Sequence, residues 1–140
     1  MVATDSHRVL VVDDQEAVRS SLRAFLEVSS DWQVCGEAAD GEEGAREATR
    51  LAPDLIIMDI AMPRMDGIQA TREIRKVLPE TPILMLSFHD SPALVNASFR
   101  AGATGYMVKS NLGRDLLRAL ETVSRHERFL SDGLREPGAR

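Results

Sequence analysis

Residues 54–67 read DLIIMDIAMPRMDG. Four apolar residues, Leu55 to Met58, run without a break into Asp59, and a Met-Pro turn then carries the chain to Asp66-Gly67. A short apolar run bounded by acid and turn residues predicts a strand buried on both faces. A carboxylate at the end of such a strand is costly unless a charge or a ligand makes use of it. Asp59 therefore needs partners, and the rest of the chain has to supply them.

The same pattern recurs on both sides. RVLVVD (8–13) is an apolar run capped by acid, and Trp32 to Glu37 is another short strand. PILMLS (82–87) and GYMVK (105–109) follow downstream. The segments between them carry apolar residues at helical spacing. These are Val18, Leu22, Phe25 and Leu26 in 15–28, and Ala45, Ala48 and Leu51 in 40–51. Ile68, Thr71, Ile74 and Leu78 mark a helix over 67–78 that stops before Pro79. Ser91-Pro92 predicts a cap and a first helical position, with Gly102 as the stop. Leu112, Leu116, Leu117, Leu120 and Val123 mark the last amphipathic helix. Strands that are continuously apolar and alternate with helices predict an α/β fold. The expectation is a doubly wound, five-stranded parallel sheet of order 2-1-3-4-5, flanked by five helices in the flavodoxin-like manner. The domain is expected over 7–126. Residues 127–140, ERFLSDGLREPGAR, lose the periodicity and read as a tail or linker.

Composition narrows the function. The 140 residues suit one domain, and 44% hydrophobic with 28% charged is ordinary for a soluble protein. A formal net charge of −5 argues against nucleic-acid binding through bulk electrostatics. No apolar stretch is long enough to span a bilayer, and MVATDSHRVL lacks the apolar segment of a secretory signal. Cys35 is the only cysteine and reads as a small core residue. A reducing cytoplasm is the expected setting.

In an open parallel α/β sheet, ligands bind beyond the carboxyl ends of the strands. The expected rim holds Asp13-Asp14, Asp59, Ser87 and Lys109, while strand two contributes nothing chemical and reads as an edge. Each has a plainer reading alone: a helix cap for Asp13 or Asp14, a turn for Asp59, solvated loop residues for Ser87 and Lys109. Together they point further. Clustered acids raise one another's pKa unless a cation is present. Oxygen ligands with spare positions suit Mg²⁺. A lysine and a hydroxyl beside them match the needs of a transferring phosphoryl group. Ser87 has no nearby base, whereas an aspartate on the central strand can accept phosphoryl as an acyl phosphate. Asp59 is read as that acceptor.

VVDDQ (11–15), DIAMPRMDG (59–67), LS (86–87) and GYMVK (105–109), in this order, resemble the receiver domain of a two-component response regulator. LSFHD (86–90), RAGATGYMVKS (100–110) and FLSDGL (129–134) resemble its NarL/FixJ subfamily. The resemblance implies Asp59 as phosphoacceptor. It implies Mg²⁺ on Asp14, Asp59 and the backbone carbonyl of Ala61, with Asp13 reaching the metal mainly through water. Lys109 and Ser87 would each engage a phosphoryl oxygen, and Tyr106 would be a rotating switch residue. Pro63 would hold the loop beside Asp59, leaving Arg64 and Met65 exposed to partners. The partners implied are a sensor histidine kinase, a second copy on activation, and DNA only through a C-terminal domain that this chain does not contain. No membrane is implied. Such a domain is a phosphoacceptor and not filed as an enzyme.

Some positions depart from the common pattern. Ser110 follows Lys109 where many receivers have proline, which predicts a trans bond. Phe88 stands where small residues are frequent; either it tunes phosphoryl lifetime together with His89 and Ala61, or it packs on the loop while His89 points to solvent. A haloacid-dehalogenase-type phosphatase would need its nucleophile on strand one and a second Asp two positions on, where Gln15 stands. An FMN protein would not place Asp13-Asp14 against a phosphate. A pseudo-receiver that binds partners without phosphorylation is the remaining alternative.

Overall fold

The computed structural model describes residues 7–29, 31–131 and 134. Strands β1 (His7–Val12), β2 (Trp32–Ala38), β3 (Leu55–Asp59), β4 (Ile83–Ser87), β5 (Gly105–Val108) and β6 (Phe129–Leu130) form one parallel sheet. Helices α1 (Glu16–Glu27), α2 (Gly41–Leu51), α3 (Gly67–Val77), α4 (Pro92–Ala101) and α5 (Leu112–Ser124) connect them. A 3₁₀ turn, Lys109–Asn111, leads from β5 into α5.

The strand order is β2-β1-β3-β4-β5-β6. The expected five-stranded sheet is thus corrected to six. The added strand lies in the segment read from sequence as tail or linker. Its two residues are too few to leave a period. What makes it a strand is pairing with β5, Gly105 opposite Phe129 and Tyr106 opposite Leu130. Ser131 extends the attachment: its N–H donates to the Tyr106 carbonyl at 3.1 Å, and its Oγ accepts from Val108 N at 3.0 Å.

Alternation along the strands builds two cores. Val9, Val11, Leu55, Ile57, Leu84 and Leu86 face α1 and α5, where Leu22, Leu26, Leu116 and Leu120 meet them. Leu10, Val12, Ile56, Met58, Ile83 and Met85 face α2, α3 and α4, against Ala48, Ile74 and Val95. The inner strands must be apolar on both faces, and so they read as unbroken runs. Edge strand β2 is the exception, with Gln33 exposed and Cys35 half-buried. Among the described residues, no helix is long and apolar enough to cross a membrane.

Helix starts follow local chemistry. Asp66 caps α3, its carboxylate accepting from Gln69 N at 2.8 Å while the Gln69 side chain returns a bond to the Asp66 N–H. Asp40 caps α2 through Glu43 N at 2.9 Å. Ser91-Pro92 opens α4 and Gly102 ends it, as the sequence predicts.

Candidate functional site

The carboxyl ends of β1, β3, β4 and β5 meet at one rim. Asp59 is the last residue of β3, and Ser87 the last of β4. Asp13 directly follows β1, and Lys109 directly follows β5. Asp13, Asp59 and Ser87 are buried, while Asp14 and Ala61 are exposed. A pocket of 130 Å³ opens here, lined by Asp14, Asp59, Ala61, Ser87, Phe88 and Lys109, with Gln15 and His89 beside them. A larger groove of 640 Å³ lies between α2 and α3, but its Glu47 and Arg50 neutralise each other at 2.7 Å. The chemistry sits in the smaller pocket.

The Lys109 ammonium lies 2.9 Å from Asp13 Oδ2 and 3.1 Å from Asp59 Oδ1. Burial alone would lower the lysine's pKa. The bond to Asp13 and the charges of Asp59 and Asp13 outweigh it and hold the ammonium above its ordinary value. One lysine does not neutralise the cluster. Burial, and next the charge of Asp13, push the Asp59 carboxyl up to about 6 against the opposing pull of Lys109. One oxygen from each of Asp13, Asp14 and Asp59 lies within 4.8 Å of the others. An oxygen-only donor set with excess negative charge suits a hard divalent cation.

Neighbouring residues fix these groups. Asp13 Oδ1 accepts from Gln15 N at 2.9 Å, and its carbonyl accepts from Arg19 at 2.8 Å. Arg19 is held in turn by Glu37, which also binds Arg23. Ser87 Oγ accepts from His89 N at 3.0 Å, and the His89 carbonyl accepts from Tyr106 Oη at 2.8 Å. Tyr106 is fully buried and packs in the α4-side core, so its ring is turned inward. The Phe88 ring is 66% exposed, and Lys109 Nζ lies 4.9 Å from its centroid. No cis peptide occurs among the described residues, so the Lys109–Ser110 bond is trans as expected.

All seven residues singled out from the sequence sit at this end of the sheet or, for Tyr106, one bond from its loop. One detail is corrected. Met65 is half-buried in the α3-side core, so the resemblance overstated its exposure. Strand two ends at Ala38 on the edge of the sheet, as expected, and Asp40, two residues past it, caps α2. It accepts from Arg64 Nε at 3.0 Å rather than joining the acid cluster. Arg19 and Glu37 were also missed. Nothing in their spacing signals a link to Asp13.

The family model described as the response regulator receiver domain matches residues 9–121. The transcriptional regulatory protein LiaR of Bacillus subtilis is 42% identical over 120 residues, which cover 86% of this chain and 57% of LiaR. The chain thus spans little more than half the length of that relative. The crystal structure of a LuxR-family two-component response regulator from Aurantimonas sp. SI85-9A1 superposes with a TM-score of 0.87 at 35% identity, covering 91% of each chain. A chain of the CheX–CheY–BeF3–Mg²⁺ complex from Borrelia burgdorferi superposes at 0.78 with 28% identity, over 84% of this chain and 88% of that one. With the acid cluster, serine and lysine in register, the chain belongs to the receiver domains of two-component response regulators, of the NarL/FixJ type.

Proposed function

We propose that Asp59 accepts a phosphoryl group from a phosphohistidine of a sensor kinase, that Mg²⁺ is required, and that acceptance switches the face around Tyr106 to control an output domain. The observation that carries this reading is the buried ammonium of Lys109 shared between Asp13 and Asp59 beside an open pocket. The donor set fits Mg²⁺: Asp14, Asp59 and the Ala61 carbonyl would hold it, with Asp13 beside them. Bound there, Mg²⁺ supplies positive charge that offsets the acids and the incoming phosphoryl oxygens.

Each residue then has a task. Lys109 engages Asp59 Oδ1, which leaves Oδ2 to attack phosphorus. The new O–P bond forms as the P–N bond of the donor breaks, and the electron pair returns to the imidazole nitrogen. Lys109 exchanges its carboxylate partners for a phosphoryl oxygen and neutralises it. Ser87 Oγ already accepts from His89 N, so its own O–H is the group left to donate to a second phosphoryl oxygen. Turning toward the phosphoryl group loads the bond to His89, and through the His89 carbonyl it disturbs Tyr106. That chain of bonds is how a charge added at Asp59 reaches the α4–β5 face. The receiver unit runs from 7 through β6 to Ser131, beyond the expected boundary at 126, and a linker begins after it. In the whole protein, phosphorylation drives pairing of two copies or release of a DNA-binding domain.

Intact mass after incubation with Mg²⁺ and acetyl phosphate tests the reading, with Asp59→Asn in parallel. One phosphate adduct on the wild type and none on the variant is expected. No adduct on the wild type from acetyl phosphate or from a phosphorylated kinase would turn the reading into that of a binding module.

A further inference from the structure

The loop from Ile60 to Asp66 carries Ala61 past the acid cluster and turns the chain back into α3. Its ends are fixed on the sheet, by Ile60 N to the Leu86 carbonyl at 3.1 Å and Gly67 N to the Ile60 carbonyl at 2.8 Å. Its far side is fixed elsewhere. Gly41 N donates to the Met65 carbonyl at 3.0 Å, and Arg64 Nε donates to Asp40 Oδ2 at 3.0 Å. Two adjacent loop residues thus grip two adjacent residues at the start of α2.

The fit at this grip is close. A Cβ on Gly41 would lie 2.1 Å from the Met65 carbonyl oxygen, so only glycine permits the approach. Asp40 divides its carboxylate, Oδ1 capping α2 through Glu43 N and Oδ2 holding Arg64. Arg64 holds a left-handed backbone, φ 66°. Such a conformation is a cost at a non-glycine residue, and an ion pair whose arginine is 66% exposed is a weak stabiliser. Stability alone gives little reason for this arrangement. Its geometric effect is to hold the loop that carries Ala61 at the pocket lined by Asp14 and Asp59.

We propose that Asp40 and Arg64 form a clamp that positions the Ala61 carbonyl for the divalent cation, making both positioning residues for phosphorylation of Asp59. The proposal rests on the phosphoacceptor reading above. The clamp acts through the loop and touches neither the phosphoryl group nor the cation. Releasing it lets the carbonyl wander and weakens cation binding, a loss that added Mg²⁺ overcomes.

The test compares the wild type with Asp40→Asn, Arg64→Gly, Arg64→Lys and the Asp40→Asn/Arg64→Gly double variant. Asn caps a helix as well as Asp does, and Gly relieves the left-handed backbone, so neither change should unfold the chain. The Mg²⁺ concentration at half-effect is read twice: from the rise in Tm with Mg²⁺ alone, and from acyl-phosphate formation with acetyl phosphate. Each of Asp40→Asn and Arg64→Gly is expected to raise it about threefold, within the range of an exposed ion pair and below the ~10–100-fold of groups bonded directly to a metal ligand. The double variant should go no further than the larger single effect, since both remove one contact. Arg64→Lys should fall between, and excess Mg²⁺ should restore the rate. A purely structural role would instead lower Tm without Mg²⁺ and leave the Mg²⁺ midpoint in place. Unchanged midpoints in both single variants, or effects that multiply in the double, would overturn the clamp alone. A wild type that neither responds to Mg²⁺ nor forms an adduct would overturn the phosphoacceptor reading and the clamp with it.

Discussion

Asp59 is held in a site that disfavours its own charge. Burial and the neighbouring Asp13 charge lift its pKa to about 6, from ~3.9 in an unfolded chain. Between those values the folded state holds more protons than the unfolded state. This group's contribution to stability therefore falls as pH climbs from about 4 to about 6, and stays low above that. Asp59→Asn, without divalent cation, should thus be more stable than wild type at pH 7.5, on the order of 1 kcal/mol, since each pKa unit is worth ~1.4 kcal/mol and solvent at the pocket mouth screens part of it. The advantage should shrink at pH 5, where wild-type Asp59 is mostly protonated. Thermal melts at both pH values check this, and an equal gap at the two would remove Asp59 as its source. Phe88 poses a different question at the same scale. Its exposed ring beside Lys109 stands at the pocket mouth. Phe88→Ala should speed loss of the phosphoryl group by about two- to fivefold, matching the ~0.5–1 kcal/mol of an exposed cation–π contact. Dephosphorylation rates equal to wild type would assign the ring to packing alone.

At the scale of elements, the loop after β3 is the demanding piece. A Cβ on Gly67, the first residue of α3, would lie 2.1 Å from the Asp59 carbonyl oxygen. Gly67→Ala must push α3 away from the phosphoacceptor strand, at a cost of ~1–3 kcal/mol by overpacking. Gly113→Ala is the control, because a Cβ there meets nothing within 4 Å. It should stabilise α5 by up to ~1 kcal/mol, the difference between Gly and Ala in a helix. Denaturant melts of the two variants should therefore move in opposite directions. The helix start at Ser91-Pro92 was legible in the sequence because caps are local. The Arg64–Asp40 pair was not, since 24 residues separate its members and only the fold brings β2's end beside the β3 loop.

At the scale of the molecule, the sheet ends in β6, and this short strand covers the open edge of β5. Phe129 is buried there, and Ser131 satisfies backbone groups of Tyr106 and Val108 on either side of Met107. A chain ending at Glu127 would expose that edge, and bare edges pair with other chains. It should lose ~1–3 kcal/mol of stability, roughly the worth of one buried aromatic side chain. It should also self-associate as concentration rises. Melts and sedimentation would check both, and a shortened chain as stable as the 140-residue chain and no more associated would reduce β6 to a surface decoration.

The alternation of unbroken apolar strands with amphipathic helices was readable residue by residue, because period and run length are properties of neighbours in the chain. The rim residues were readable for the same reason: a parallel sheet places every strand's carboxyl end on one side, so Asp13, Asp14, Asp59, Ser87 and Lys109 could be gathered without coordinates. Long-range pairing could not be read that way. The sixth strand, the inward Tyr106 ring, the Arg19–Glu37 support behind Asp13 and the grip of Arg64 on Asp40 depend on contacts between segments far apart in sequence. No local pattern encodes such contacts, because packing and hydrogen-bond satisfaction select them only once the sheet has closed.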